Sequence, residues 1–213
     1  MFFKKYADNK NPNSQSFQLR QRRFAKFCSL CGINNNSTIL DVGGTVDIWL
    51  GTGFEKNVTL LNIVPMKQRQ PFRCIVGDAC DMKEFKDGMF DIAFSNSVIE
   101  HVGNFERQIM FAKEVKRVAK KYWVQTPYKH FPIEPHFVFP FFQYLPYNLK
   151  KIVALNWTQS HFKMNGETNE NILSELKNLR LLNEKEIQQL FEDSEIIREK
   201  YFGLTKSLIA VKK

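Results

Sequence analysis

Short apolar segments recur along the chain, and each is followed by glycine, proline or small polar residues. Five of them precede residue 128: STILDVG (37–43), NVTLLNIV (57–64), FRCIVGDA (72–79), FDIAFSNS (90–97) and KYWVQTP (121–127). Short segments that are apolar throughout are typical of strands buried on both faces of a parallel sheet. With helical segments between them, the pattern predicts an α/β fold.

The remaining sequence extends this sheet and interrupts its rhythm once. Residues 97–120 predict one continuous helix and residues 181–193 an amphipathic one. Two late strands, 194–203 and 206–213, are predicted to pair antiparallel at the sheet edge. We therefore expect a Rossmann-like, doubly wound sheet of about seven strands, mostly parallel with an antiparallel last strand.

A stretch rich in proline and aromatic residues, 128–170, follows the fifth strand. It is too irregular for a sheet crossover and too apolar for a solvated loop, so we interpret it as an acceptor-side insertion or lid. No second domain or internal repeat is evident, and we expect residues 1–213 to form a single domain.

Residues 1–36 form a basic N-terminal segment in a chain with a formal net charge of +9. Apolar spacing predicts a helix that begins near Ser14 or Ser16 and ends at Gly32. Such a helix can contact nucleic acid, anionic lipid or an anionic substrate, or simply present a solvated face.

Composition excludes several classes of protein. No apolar run is long enough to span a bilayer, and the N-terminus lacks the apolar core of a secretory signal, so we expect a cytoplasmic protein. The four cysteines do not form two pairs with zinc-site spacing, which favours reduced thiols; they are Cys28, Cys31, Cys74 and Cys80.

Polar and small residues stand where the first four predicted strands end. Ligands of open parallel sheets bind beyond these carboxyl ends, so the residues predict the rim of a nucleoside pocket. Glycines allow close backbone approach, Asn62 can bond ribose hydroxyls, and Asp78 can accept from an adenine amine. The predicted rim consists of Asp41, Gly43, Gly44, Thr45, Asn62, Ile63, Asp78, Ala79, Ser95 and Asn96, with His101 on the next helix.

Four motifs in order, ILDVGGT, LLNIV, VGDACDM and FDIAFSNSVIEHV, resemble the class I S-adenosylmethionine-dependent methyltransferases of the type 11 group. The resemblance covers roughly residues 37–127. It implies S-adenosyl-L-methionine as cofactor, with the glycine turn holding its methionine end and ribose.

Two residues depart from the family pattern. Thr45 stands at the second glycine of the usual G-x-G, and Asn62 replaces the usual acid after the second strand. Both changes predict weaker cofactor binding. NAD is disfavoured, because its site requires a further glycine and an acid on the ribose.

The segment TPYKHFPIEPHF (126–137) supplies the candidates for acceptor chemistry. Its candidate catalytic residues are Tyr128, His130, Glu134 and His136. A His–Glu–His cluster could act as a general base with its orienting carboxylate, bind a metal, or only satisfy backbone groups in a proline-rich loop. We predict that the segment supplies a general base, with His136 as the preferred residue, and that it binds no metal.

These residues favour methyl transfer, most readily to oxygen, on a small-molecule or lipid-linked acceptor. The aromatic run 136–157 is either core or an apolar acceptor pocket, and its Lys150 and Lys151 would also suit peripheral contact with the inner membrane face. The alternatives are an RNA methyltransferase that uses the basic helix, which the apolar insertion disfavours, and a non-catalytic cofactor-fold module, which Thr45 and Asn62 favour. The acceptor and the oligomeric state stay open.

Overall fold

A seven-stranded sheet organises residues 15–213, the part of the chain that this computed structural model describes. Its order is β3-β2-β1-β4-β5-β9-β8, and a separate two-stranded hairpin pairs β6 with β7. The first five strands run parallel, whereas β9 is antiparallel to both β5 and β8. The predicted fold class is confirmed. The strands are β1 (Ile39–Val42), β2 (Val58–Asn62), β3 (Arg73–Val76), β4 (Phe90–Asn96), β5 (Ala119–Pro127), β6 (Ile133–Glu134), β7 (Phe139–Pro140), β8 (Glu195–Tyr201) and β9 (Leu204–Lys212).

Helices cover both faces of the sheet. The α-helices are α1 (Gln15–Cys31), α2 (Phe105–Val118), α3 (Tyr147–Asn156), α4 (His161–Met164), α5 (Asn169–Asn178) and α6 (Glu184–Leu190). Phe27 and Cys31 of α1 join the core on one face, while α2 and α6 contribute to the core on the other. The connections between β1 and β4 contain no α-helix; they are turns, with short 3-10 helices at Val46–Ile48 and Glu55–Asn57. Helical segments were expected there, but these short connections are tied by local backbone hydrogen bonds instead.

The end of α1 agrees with the sequence prediction. Gly32 adopts φ +64, and the Ile33 N–H donates to the Cys28 carbonyl oxygen over 3.1 Å, which is the pattern of a Schellman cap. The proposed cap Ser14 and residues 1–13 lie outside the described part of the chain.

The continuous helix expected over residues 97–120 was wrong. A 3-10 turn at Ile99–His101 is separated from α2 by Gly103, whose φ of +110 disrupts helical geometry. The Asn104 side chain then caps α2 by accepting the Arg107 N–H over 3.0 Å. This break leaves the 3-10 turn at the carboxyl edge of the sheet.

The insertion after β5 is more ordered than its sequence predicts. It contains the β6–β7 hairpin, α3, α4 and the start of α5, with a small core of its own that includes Phe137 and Phe142. Other aromatic and aliphatic side chains on it are exposed: Phe141, Tyr144, Tyr147, Leu149, Ile152 and Trp157. The aromatic run is thus divided between core and surface. Among residues 15–213, no helix combines the length and the apolar character that crossing a bilayer demands.

Candidate functional site

The turn after β1 requires glycine at two successive positions. Gly43 has φ +76 and donates its N–H to the Leu61 carbonyl oxygen over 2.7 Å. A Cβ on Gly43 would lie 2.6 Å from a methyl carbon of Val98, and one on Gly44 would lie 1.7 Å from the Asp41 carboxylate. The turn therefore brings bare backbone to the sheet edge, where a ligand can approach closely.

Asp41 lies buried beneath this turn with only one of its oxygens satisfied. Its Oδ2 accepts the Trp49 indole N–H over 2.7 Å, and its Oδ1 has no hydrogen-bond partner within residues 15–213. Burial raises the pKa of Asp41 to about 7, although the Trp49 hydrogen bond opposes that rise. An unsatisfied buried acceptor under a glycine cradle fits a ligand that carries a donor or a positive charge.

The raised pKa of Asp41 predicts a pH dependence of stability. The folded state holds a proton on Asp41 between pH 3.8 and about 7, where the unfolded state has lost it, so stability falls as pH rises through this window. The slope is at most about 1.4 kcal/mol per pH unit. We expect Asp41→Asn to lack this component in denaturant unfolding at about pH 5 and about pH 7. Equal pH profiles for wild type and Asp41→Asn would contradict the assignment.

Asn62 and Thr45, the two departures from the family pattern, occupy different environments. The Asn62 amide donates to the Gly44 carbonyl oxygen over 2.7 Å and also contacts the Met66 sulfur at 3.2 Å. Asn62 therefore braces the glycine turn. Thr45 is exposed on extended backbone, and its side chain makes no capping hydrogen bond. Neither residue blocks the turn, and Ile63 beside them is exposed at the rim.

Asp78 is paired within the protein. Its two oxygens accept from Arg107 Nη2 over 3.0 and 2.9 Å, and its Oδ1 also accepts the Cys80 N–H. Burial alone would raise the pKa of Asp78, but these hydrogen bonds outweigh it and lower the pKa. A carboxylate has further lone pairs, so an adenine amine could still donate to it. No motif in the sequence pointed to Arg107, and Ala79 beside Asp78 packs against the core.

Ser95 and Asn96, predicted at the rim, make internal contacts. The buried Ser95 hydroxyl donates to the Val42 carbonyl oxygen over 3.2 Å, and Asn96 Oδ1 accepts from Arg23 Nη1 over 2.5 Å. Arg23 also forms an ion pair with Glu199 at 2.5 Å. Arg23, one of the basic residues of α1, is therefore engaged by the protein itself.

Two histidines meet at the carboxyl edge of the sheet. The 3-10 turn carries His101, the insertion carries His136, and their Nε2 atoms lie 3.1 Å apart. The Nδ1 atom of His101 is 3.0 Å from Glu175, and that of His136 is 2.6 Å from Glu134. Each imidazole is thus held between a carboxylate and the other ring. We call these four residues, with Glu100, the histidine cluster.

Glu100 completes the histidine cluster from the interior. It is fully buried, and its Oε2 accepts the Thr126 hydroxyl over 2.9 Å. Its Oε1 has no hydrogen-bond partner among the described residues and lies 3.9 Å from His136 Nε2. Burial opposes charge on His136, yet the neighbouring carboxylates, Glu134 foremost, raise its pKa.

The cluster adjoins the glycine turn. The Val98 side chain fills the space that a Cβ on Gly43 would need, and the Val98 carbonyl oxygen accepts the His101 N–H over 2.8 Å. Val98 and His101 are three residues apart, so the glycine turn and the histidine cluster lie at the same edge of the sheet.

The His–Glu–His cluster expected from sequence is only partly assembled. Glu134 and His136 are in contact, but His130 is exposed and bonds the Tyr144 hydroxyl at 2.5 Å. Tyr128 contacts the His130 ring, with centroids 5.2 Å apart. The second histidine of the cluster is His101, which we had assigned to the cofactor.

The sequence carried a partial signal for the residues that were missed. Glu100 precedes His101 within the VIEHV motif, so its position was visible although its burial was not. Glu175 lies in α5 with no motif around it, and only the packing of the insertion brings it to His101.

Comparison with known proteins bears on this site. The family model described as "Methyltransferase domain" matches residues 32–122. The match spans β1 to β4 and α2, including the glycine turn, Glu100 and His101, but ends before Glu134 and His136. No curated protein matches the chain.

Solved structures share the fold at low sequence identity. A Pyrococcus horikoshii OT3 protein has a TM-score of 0.57 and 15% identity, and the match covers 99% of this chain and 96% of that protein. A Rhodobacter sphaeroides protein, named as a candidate Zn-dependent alcohol dehydrogenase, has a TM-score of 0.56 and 10% identity. The match covers 89% of this chain and 87% of that protein. The Burkholderia thailandensis 1,6-didemethyltoxoflavin-N1-methyltransferase, solved with bound 1,6-didemethyltoxoflavin and S-adenosylhomocysteine, has a TM-score of 0.54 and 13% identity. The match covers 99% of this chain and 85% of that protein. These likenesses establish the fold alone.

Proposed function

We propose that this chain, which through residues 32–122 belongs to the class I S-adenosylmethionine-dependent methyltransferases, methylates a hydroxyl of a small-molecule or lipid-linked acceptor at the histidine cluster. The observation that carries the proposal is the pair of imidazoles, each oriented by a carboxylate, beside the glycine turn. The reaction is a displacement at the cofactor's sulfonium methyl carbon, in which the acceptor oxygen forms the new bond.

The cofactor would bind over the glycine turn. Gly43 and Gly44 allow backbone contact, and the unpartnered Asp41 Oδ1 lies beneath them to attract the positive end of the cofactor's methionine moiety. Exposed Ile63 offers an apolar contact for the nucleoside, and Asp78 keeps lone pairs for its amine. When bound, the cofactor supplies an activated methyl group, so the protein's main task is alignment.

The acceptor would enter beside Glu134. An open pocket of about 210 Å³ lies there, and its lining includes Lys129, Lys150 and Arg180 together with Phe142 and three leucines. This volume is below the usual range of about 300–1,000 Å³ for ligand sites, so it suits a small acceptor or the head of a larger one. Positive charge around an apolar wall favours an acceptor that carries an anionic group.

A lipid-linked acceptor is supported by the outer surface of the insertion. Tyr147, Leu149 and Ile152 of α3 are exposed beside Lys150 and Lys151. Exposed apolar side chains on a helix that also carries lysines are suited to the interface of an anionic membrane.

The histidine cluster would remove the acceptor's proton. Glu134 accepts from His136 Nδ1 and so leaves the lone pair on Nε2. This atom, 3.1 Å from His101 Nε2, would take the hydroxyl proton once the acceptor separates the two rings. Glu134 also accepts the Phe137 N–H over 2.7 Å, which fixes the carboxylate in place. His136 is therefore the preferred base and Glu134 its positioning residue.

A matched pair of histidine variants tests this role. We expect His136→Gln to lower kcat by about 10²–10⁴ without changing S-adenosylhomocysteine affinity, because only the proton transfer is lost. His130→Gln should have little effect, because His130 contacts Tyr144 rather than the cluster. The measurement is S-adenosylhomocysteine release with a panel of soluble and lipid-linked hydroxyl acceptors. Equal losses in both variants, or none in His136→Gln, would contradict the assignment.

A further inference from the structure

The two histidines of the cluster present lone pairs to each other. Both Nδ1 atoms face carboxylates, which only accept, so each Nδ1 carries the ring's proton. Both Nε2 atoms of the neutral rings are then acceptors, yet they lie 3.1 Å apart. The arrangement therefore requires a cation between them, either an extra proton or a metal ion.

Glu100 adds a third possible ligand atom, Oε1, which accepts no hydrogen bond from the described residues. Its unpartnered Oε1 belongs to a fully buried side chain, and the three ligand atoms of Glu100, His101 and His136 lie within 4.8 Å of one another. A single proton shared by the two rings would leave this oxygen unpartnered. Contrary to the sequence-based expectation of no metal, we propose from this geometry that Glu100, His101 and His136 form a binding site for one divalent transition-metal ion.

The observed spacing suits such an ion. Two imidazole nitrogens bound at about 2.0–2.1 Å, with angles between about 90° and 109°, lie about 2.8–3.4 Å apart. The measured Nε2–Nε2 distance of 3.1 Å falls in that range. Glu100 Oε1 lies 3.9 Å from His136 Nε2 and within 4.8 Å of the His101 ligand atom, so it has to move inward by about half an ångström to one ångström to bind directly.

The outer carboxylates are placed as in established metal sites. Ligating histidines usually donate their second ring N–H to a carboxylate, which fixes the tautomer and raises ligand basicity. Glu175 does this for His101 and Glu134 for His136. Two imidazoles and one carboxylate favour Zn²⁺, Fe²⁺, Co²⁺ or Mn²⁺ over Ca²⁺ or Mg²⁺. Three protein ligands also leave coordination positions open to an oxygen from solvent or substrate.

The site stands apart from the proposed methyl transfer, because it is defined without cofactor or acceptor. If both hold, His101, His136 and Glu100 would hold the ion in place of an Nε2 base, and the ion would supply Lewis acidity that makes an acceptor hydroxyl easier to deprotonate. Methyl transfer would then depend on the ion.

The test is titration of the full chain with Zn²⁺ and Co²⁺, without cofactor or acceptor, by calorimetry and by the visible spectrum of bound Co²⁺. We expect one ion per chain with nitrogen and oxygen ligation. Glu100→Gln, which retains the side-chain shape, should weaken metal binding by at least about 10–100-fold, and so should His136→Gln. Glu134→Gln, which removes only the carboxylate that orients His136, should weaken it by about 10–100-fold. His130→Gln and Cys28→Ser serve as controls for adventitious imidazole and thiol ligands and should bind as wild type.

Three outcomes would overturn the site. The first is no binding of Zn²⁺ or Co²⁺ by the wild-type chain. The second is unchanged binding in both Glu100→Gln and His136→Gln, when the melting temperatures of these variants show that they fold as the wild type does. The third is a Co²⁺–thiolate spectrum that Cys28→Ser abolishes. If a Glu100→Gln or His136→Gln chain does not fold, Glu175→Gln replaces it, because that side chain is 42% exposed and its loss disturbs only the orientation of His101. Binding equal to wild type in Glu175→Gln would then count against the site. Metal binding without methyl transfer would refute the proposed function but leave this site intact.

Discussion

Gly44→Ala is expected to reduce S-adenosylhomocysteine affinity by about tenfold or more. The new Cβ would lie 1.7 Å from the Asp41 carboxylate, so either Asp41 leaves the Trp49 indole or the turn moves away from the sheet edge. Overpacking of this kind also costs about 1–3 kcal/mol of stability. Calorimetric titration and denaturant unfolding of the same preparation measure the two effects.

Gly51→Ala is the control for this experiment. Gly51 has φ +77, so alanine there carries a backbone cost of about 1–2 kcal/mol, but no atom would lie within 4 Å of its Cβ. It should lose stability and retain ligand affinity. Unchanged ligand affinity in Gly44→Ala would show that the glycine turn does not hold the cofactor.

The second large effect is expected at Trp49. Trp49 and Trp123 are both fully buried, and both pack against Phe27 on the same face of the sheet. They differ in one respect: the Trp49 indole N–H donates to Asp41, whereas the Trp123 N–H has no partner within residues 15–213. We expect Trp49→Phe to cost about 1–3 kcal/mol more stability than Trp123→Phe, because only the former leaves a buried carboxylate without a hydrogen bond.

The comparison cancels the loss of ring volume, which is the same in both variants. Denaturant midpoints, with slopes checked for equality, provide the measurement. A larger loss in Trp123→Phe, or equal losses, would mean that the Trp49–Asp41 hydrogen bond does not stabilise the glycine turn.

The sheet could be read from the sequence because its strands are local features. Each of the five parallel strands is a short apolar run ended by glycine, proline or a polar residue, and β9 carries a similar run in LIAV, whereas β8 is largely charged. The break at Gly103 was missed because apolar spacing continued across it. A single residue at φ +110 with a capping asparagine after it outweighed that spacing.

The sequence could predict the position of residues that act through the backbone, but not the pairing of side chains from distant segments. Gly43 and Gly44 occupy the expected turn. The contacts of Asp78 with Arg107, and of Asn96 with Arg23, join segments far apart in the chain, and no local pattern reports such pairings. The histidine cluster is the strongest example, because its members come from the turn after β4, the insertion and α5.

Titration of the purified chain with S-adenosylhomocysteine, S-adenosylmethionine and NAD tests the central claim most directly. The glycine turn over Asp41 predicts saturable, one-to-one binding of the first two ligands and none of NAD. Binding of NAD, or of none of the three, would contradict the assignment of this site to S-adenosylmethionine.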